Sequence, residues 1–449
     1  MYIWQLDNCL LKYEKQGKNN NNFRVLATLT ELTLPRAQQS EFTFVSIGLL
    51  LICFSIGTVG RMLLEHFPNL VPVFTEEFGW SRSTIASIFS LCSIITGLSG
   101  PFAGLLFDRF GPLLVFSSGF ALAGSGLLIS GHATSLWEMY LGLGVFVGLS
   151  AALCGNVTNS TLVTRWFSKK LPLALSIIFA AYGAGSLIGF SLSQYLITHF
   201  GWRNAEIFIG IAILCGLVCL CLLPWKRLAA GRKLPTADPK IKLPPTAADV
   251  TLRETIRKPA FWGLASIFFI TGNGTYGTLF QSVSYLIDKG LAPIEASSYL
   301  GLMGAFIPPG MIFCGYLLTR FNIIVIATST HIVTTLGILS LWLVTDPNDL
   351  VFLIAFVCFF GLTAGTRAPI AGSLASRLFS GRNFGVIFGS ISIGGGMGVA
   401  SGSFVSGFIY DITQSYGAAF TYAGICMLAG GLPVLIIPSL RRSGARQQL

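Results

Sequence analysis

The chain has 449 residues, of which 53% are hydrophobic and 10% charged, with 29 Lys+Arg against 18 Asp+Glu and a formal net charge of +11. Soluble domains carry about 25% charged residues, so this composition, with a mean hydropathy of +0.72, excludes a soluble domain and marks a polytopic membrane protein. The basic excess does not mark a nucleic-acid binder, because the cations sit in short segments between apolar blocks.

Residues 1–43 read as a polar cytoplasmic tail containing the run Asn19-Asn20-Asn21-Asn22. The first apolar block starts too late and is too long for a signal peptide. The tail is expected to be disordered, or to follow a start site placed too far upstream. Twelve apolar blocks follow: Phe44–Leu70, Ser83–Phe107, Leu113–Ile129, Leu136–Val163, Leu171–Thr198, Ala205–Leu223, Ala260–Ile287, Ile294–Leu318, Ile323–Val344, Leu350–Leu374, Phe384–Tyr410 and Ala418–Ile437. Each is long enough to cross a hydrocarbon core of about 30 Å as a helix rising about 1.5 Å per residue. The fold class is therefore all-α membrane protein with twelve transmembrane helices.

A Pro- and Lys-rich loop, 226–259, separates a six-helix bundle at 44–225 from a second at 260–438, and residues 439–449 form a second cytoplasmic tail. Cations of the two tails and the even-numbered loops account for 24 of the 29 Lys+Arg. The positive-inside rule then places both termini in the cytoplasm of a cell membrane, plasma or bacterial inner. The halves echo each other. Gly104-Leu-Leu-Phe-Asp108-Arg109-Phe-Gly111 follows the second block and Gly315-Tyr-Leu-Leu-Thr319-Arg320-Phe-Asn322 the eighth. Parallel six-helix repeats are a construction of rocking transporters.

The chemistry must lie in the polar groups inside the blocks. An Arg at mid-helix costs roughly 2.5–3.5 kcal/mol on insertion scales, and two are present. Arg61 shares a helix face with Glu65 and Asn69 at i+4 and i+8; Arg367 lies in Gly365-Thr366-Arg367-Ala368-Pro369. A guanidinium fork suits a carboxylate, so Arg367 and Arg61 are the expected substrate anchors. Asn69, Asn156, Asn159, Tyr182, Asn273, Tyr276 and Gln281 are the expected neighbouring donors. Alternatively, Arg61 is neutralised by Glu65, and Arg367 is bonded to carbonyls. Pro68 and Pro369 can free backbone groups to line a cavity. Glu65 and His66 are the candidates to carry a coupling proton. His331 and the cysteines read as packing residues. Cys215, Cys219 and Cys221 have no His or carboxylate nearby, and no metal site or cofactor is expected. No nucleotide-binding loop and no nucleophile–base pair is present, so neither ATP hydrolysis nor other enzyme activity is expected.

The Gly-x-Leu-x-Asp-Arg-x-Gly loop after the second block resembles the signature of the major facilitator superfamily. That resemblance implies a cytoplasmic gate in which Asp108 and Arg109, with Arg320 of the degenerate second copy, latch the halves. Phe78-Gly79-Trp80-Ser81-Arg82, Gly100-Pro101, Trp166-Phe167-Ser168-Lys169-Lys170-Leu171-Pro172-Leu173-Ala174 and Gly201-Trp202-Arg203 together resemble the monocarboxylate transporter family and its oxalate–formate antiporter relatives. Arg367 matches an Arg common in bacterial relatives. The chain departs from the pattern at Asn69, where animal members carry Lys, and at Gln281, where bacterial relatives carry His. It departs again in the uncharged stretches Leu300–Leu318 and Phe384–Tyr410. The resemblance implies a secondary transporter of a small organic anion, a mono- or dicarboxylate, by proton symport or anion exchange. The rival readings are an exporter of amphipathic or uncharged compounds and a transport-silent sensor.

Overall fold

A computed structural model of the chain describes residues 44–167, 171–230, 251–379 and 384–445. The predicted tail 1–43, Lys169, Lys170, Arg382, Arg446 and most of the central loop, 231–250, lie outside the described residues. Residues from Gly48 onward pack as one unit.

Ten helical segments among the described residues are long and apolar enough to cross a membrane. One of them, Arg82–His132, contains two predicted blocks and turns at Gly111, where φ is 79°. A Cβ disfavours that left-handed region, and Pro112 follows, so the Gly-Pro pair sets the corner. Pro259–Asp288 is a further 30-residue helix. All twelve predicted spans are therefore helical: α1 (Val45–Phe78), α2 and α3 (82–110 and 112–132), α4 (Leu136–Thr164), α5 (Ala174–Phe200), α6 (Trp202–Leu222), α7 (Pro259–Asp288), α8 (Pro293–Leu318), α9 (Ile323–Trp342), α10 (Leu350–Phe379), α11 (Phe384–Thr413) and α12 (Tyr416–Ile436).

Several helices are broken. α1 breaks at His66, α8 at Phe306, α10 at Gly365–Thr366 and α12 at Gly430–Gly431. Each break lies two to four residues ahead of a proline: Pro68, Pro308, Pro369 and Pro433. The proline ring clashes with the carbonyl four residues back and supplies no N–H, so the ladder opens there. α4 breaks without proline at Cys154–Gly155. The freed carbonyls take side-chain donors, and this decides where several polar groups point.

Odd-numbered helices run from the face holding Gly48, Pro259 and Arg441 (the terminal face) to the opposite, far face. Near the terminal face, Phe261, Leu264, Ile326, Leu374, Phe379 and Ile391 form one buried cluster that ties α7, α9, α10 and α11 together. The first six helices meet the last six along two small-residue seams. On α2 and α11, a Cβ on Gly396 would lie 3.1 Å from Gly97 Cα, and Ser90 Oγ donates to the Ala400 carbonyl at 2.6 Å. On α5 and α8, Gly183 faces Pro308 and Gly304 faces Ser186. Small side chains allow this approach where lipid supplies no hydrophobic drive.

Candidate functional site

Arg61 and Glu65 lie one turn apart on α1, just before its break, and form an ion pair. Two glycines of α5 make room for them. A Cβ on Gly185 would lie 2.8 Å from the Thr58 carbonyl, and one on Gly189 would lie 2.9 Å from the Met62 carbonyl. Gly185→Val is therefore expected to force α5 off α1 and destabilise the protein by about 1–3 kcal/mol. Gly48→Val, where a Cβ meets nothing within 4 Å, is expected to leave the thermal midpoint unchanged. Thermal unfolding of the two purified variants makes the comparison.

The Arg61 guanidinium lies 4.8 Å from the Tyr182 ring centre on α5 and 5.9 Å from that of Tyr276 on α7. It thus sits where the first six helices meet the last six. Tyr276 donates its hydroxyl to Glu65 Oε1 at 3.2 Å, and Asn156 Nδ2 donates to the Tyr182 hydroxyl at 2.8 Å. Asn159 Nδ2 donates to the Cys154 and Gly155 carbonyls exposed by the break in α4, at 2.8 and 3.0 Å. Thr58 Oγ1, Arg61 Nε, Glu65 Oε2 and Asn159 Oδ1 are buried with no hydrogen-bond partner among the described residues. The first three share one face of α1, and Asn159 lies against Gly57 on the same helix. Buried polar atoms are ordinarily paired, so a cluster of unpaired ones marks a place for a polar ligand. On the far side the cluster is roofed by rings. Phe67 lies 5.0 Å from Phe89, and Phe89 lies 5.5 Å from Tyr276 and 5.9 Å from Phe280.

Beyond that roof the far face is locked across the halves. The Asp411 carboxylate of α11 accepts from the backbone N–H groups of Arg82 and Ser83 at 3.0 and 2.8 Å. Ser81 Oγ accepts from Thr84 N. Three of the donors left over at the start of α2 are thereby satisfied. The Arg82 side chain donates to Gln281 Oε1 at 2.9 Å and to the Tyr416 hydroxyl at 2.6 Å. Its guanidinium lies 3.7 Å from the Tyr410 ring centre, and it also approaches Asp288 at 3.6 Å. Asn69 joins the seam between α5 and α8. Its Nδ2 donates to the Phe190 carbonyl and Ser193 Oγ, at 2.8 and 2.7 Å, and its Oδ1 accepts from Ser297 at 2.9 Å.

The terminal face differs. Asp108 pairs with Arg165 at 3.4 Å, inside its own half. Arg109 lies over Phe110 and Arg320 over Tyr316, each ring from its own half. The structure does not bring Asp108, Arg109 and Arg320 together: the lock is drawn on the far face.

The expected site residues thus separate. Arg61, Glu65, Asn156, Asn159, Tyr182 and Tyr276 gather in one cluster. Asn69 and Gln281 belong to the far-face contacts. Asn273 is occupied, its Oδ1 accepting from Ser401 and Tyr422 at 3.1 and 2.7 Å. Arg367 is the main correction. Its guanidinium is buried among α9, α10 and α12, donating to the Ala364 carbonyl, Thr334 Oγ1 and Met427 Sδ at 2.6, 2.9 and 2.9 Å. The break ahead of Pro369 ends the first arm of α10 at Ala364, and that exposed carbonyl captures the side chain. His66 points away from the cluster, toward Glu206 of α6 at 3.2 Å. Arg82 and Asp411 escape a sequence reading because both sit at block edges, where charges count as loop residues.

A family model described as Major Facilitator Superfamily matches residues 45–358. The chain is 26% identical over 378 residues to monocarboxylate transporter 13 of Bos taurus, covering 84% of this chain and 85% of that one. It is 26% identical over 404 residues to monocarboxylate transporter 11 of Homo sapiens, covering 86% and 81%. A crystal structure of a bacterial homologue of the human lysosomal transporter Spinster, inward-facing and occupied, superposes with a TM-score of 0.64 at 14% identity, covering 89% of this chain and 96% of that one. At that identity the likeness speaks for the fold alone.

Proposed function

Because the chain belongs to the Major Facilitator Superfamily, and so is a multi-pass membrane transporter and not an enzyme, we propose that it moves a small organic anion by alternating access, with Arg61 as the carboxylate anchor. The observation that carries this reading is the part-buried Arg61 guanidinium where α1, α5 and α7 meet, with its buried Nε unpaired beside the unpaired Thr58 Oγ1 and Asn159 Oδ1. Thr58, Asn156, Asn159, Tyr182 and Tyr276 complete the site. The substrate class comes from the relatives' names together with the guanidinium.

Charge arithmetic supports coupling to a proton. Arg61 and Glu65 together are neutral. An incoming carboxylate adds one negative charge at a depth where uncompensated charge costs several kcal/mol. A proton on Glu65 restores neutrality and frees the guanidinium fork. Anion and proton then bind together. Where no proton is exchanged, one anion replaces another. The bundles 44–225 and 260–438 would rock about the α2–α11 and α5–α8 seams, opening each face in turn. The face holding Gly48, Pro259 and Arg441 would be cytoplasmic, in line with the cation count, in a plasma or inner membrane.

Uptake of labelled pyruvate and oxalate into proteoliposomes, with and without a pH gradient, tests the reading. Glu65→Gln is expected to keep anion exchange and lose the stimulation by an inward proton gradient. Efflux of hydrophobic dyes that ignores Arg61→Ala would put the exporter of uncharged compounds in its place. Binding without flux would favour a sensor.

A further inference from the structure

His66 sits at the break of α1, where His66 N donates to the Met62 carbonyl at 3.2 Å and Asn69 N to the His66 carbonyl at 3.1 Å. Its side chain leaves the Arg61 face and turns into the first half. Nε2 lies 3.2 Å from Glu206 Oε1 on α6, within ion-pair reach but off the line of a hydrogen bond. Both side chains are buried, at 3% and 2% exposure. Glu206 Oε2 has no hydrogen-bond partner among the described residues. Beside the ring is a cavity of about 10 Å³ lined by Met62, Leu63, Leu127, Leu192, Ser193 and Ile209, room for a single water.

The charges on the surrounding elements are engaged elsewhere or lie at the far ends. On α1, Glu65 is held by Arg61 and Tyr276, and Glu77 is held by Trp202 and Arg203. On α6, Arg203 is spent on Glu77 and the Ala133 carbonyl. His132 of α3 and His199 of α5 are exposed. Against His66 itself, Glu206 is the titratable group.

We propose that His66 and Glu206 form a proton-binding site at the α1–α6 junction, distinct from the Arg61–Glu65 pair, whose occupancy sets the bend of α1. With one proton the buried pair is neutral; with none or two it carries a net charge, which burial penalises. In the far-closed structure both side chains are sealed from solvent, so a change of occupancy there meets the full penalty. Bending α1 at His66 would widen the small cavity, admit water and lower that penalty, so proton affinity differs between conformations. By linkage, protonation then biases the conformation in return. The route to the gate is short: Ser193, which lines the cavity, is also the acceptor for Asn69 in the far-face seam. The inference rests on the proton-coupled reading above, but its test needs no substrate.

The full chain in lipid nanodiscs would be followed by infrared pH-difference spectroscopy and by hydrogen exchange across residues 62–70. Wild type is expected to show a carboxyl band that responds to bulk pH, and exchange in α1 that changes with it on the order of tenfold. Glu206→Gln, nearly isosteric, is expected to abolish both, and His66→Gln to shift the band. A purely structural pair would leave the pH dependence of exchange intact while lowering stability. Retention of the band in Glu206→Gln sinks the proposal. If the band is instead lost in Glu65→Gln, the coupling proton belongs to the central site: the carboxylate reading survives and this one falls.

Discussion

Arg61→Ala is expected to reduce carboxylate uptake at least about 100-fold, the consequence of removing a part-buried, charge-paired guanidinium at roughly 1.4 kcal/mol per decade. Arg61→Lys keeps the charge but loses the two-pronged fork and the stacking between Tyr182 and Tyr276, so it is expected to recover only a small part of the rate. The single alanine variant also strands Glu65 in a buried setting. Breaking such a pair costs about 3–5 kcal/mol, whereas removing both charges costs much less. The double variant Arg61→Ala/Glu65→Gln is therefore expected to regain thermal stability without regaining uptake. Proteoliposome flux and thermal unfolding, measured on the same preparations, separate the two effects. Recovery of flux in the double variant would show that Arg61 serves only to neutralise Glu65, and the anion site would have to be sought elsewhere.

Arg82→Ala is expected to open the far face. The side chain holds α2 to α7, α11 and α12 through Gln281, Tyr416 and the Tyr410 ring. Asp288 is half exposed, at 52%, so its ion pair contributes little. The hydrogen bonds and the ring contact together amount to about 2–4 kcal/mol, and their loss shifts the population toward the far-open form by roughly 30- to 1,000-fold. Hydrogen exchange reads this on the native sequence background. Amides at 82–90 and 400–413 lose protection in Arg82→Ala, while those near Asp108 and Arg165 gain it. Unchanged protection on both faces would show that the backbone contacts of Asp411 hold the seam without Arg82.

The helices were legible in the sequence and the azimuths were not. Block length and hydropathy are sufficient for twelve spans because a bilayer core imposes one length on all of them. The i, i+4 spacing is also sufficient for the Arg61–Glu65 pair, because both partners lie on one helix. Arg367 shows the limit. Its depth follows from its position in the tenth block, but its direction follows from a carbonyl exposed by the break before Pro369, and from a thioether 60 residues away on α12. Arg82 shows the other limit. Its partners lie 199 and 334 residues further along, a separation that no local pattern encodes. Glu206 stands one residue inside its predicted block, where a carboxylate passes for an interfacial charge; only the packing of α6 against the bend of α1 gives it a partner.

Asp411 grips α2 by its peptide N–H groups and not by a side chain. Every amino acid except proline presents those groups, so the N–H donors of this clasp remain in place through any substitution at positions 82 and 83 other than proline, even where loss of the Arg82 side chain weakens the seam around them. The clasp can be disarmed from that side only by inserting a proline or by shifting the helix start. The clasp's vulnerability is therefore one-sided, concentrated in a single carboxylate near the end of α11.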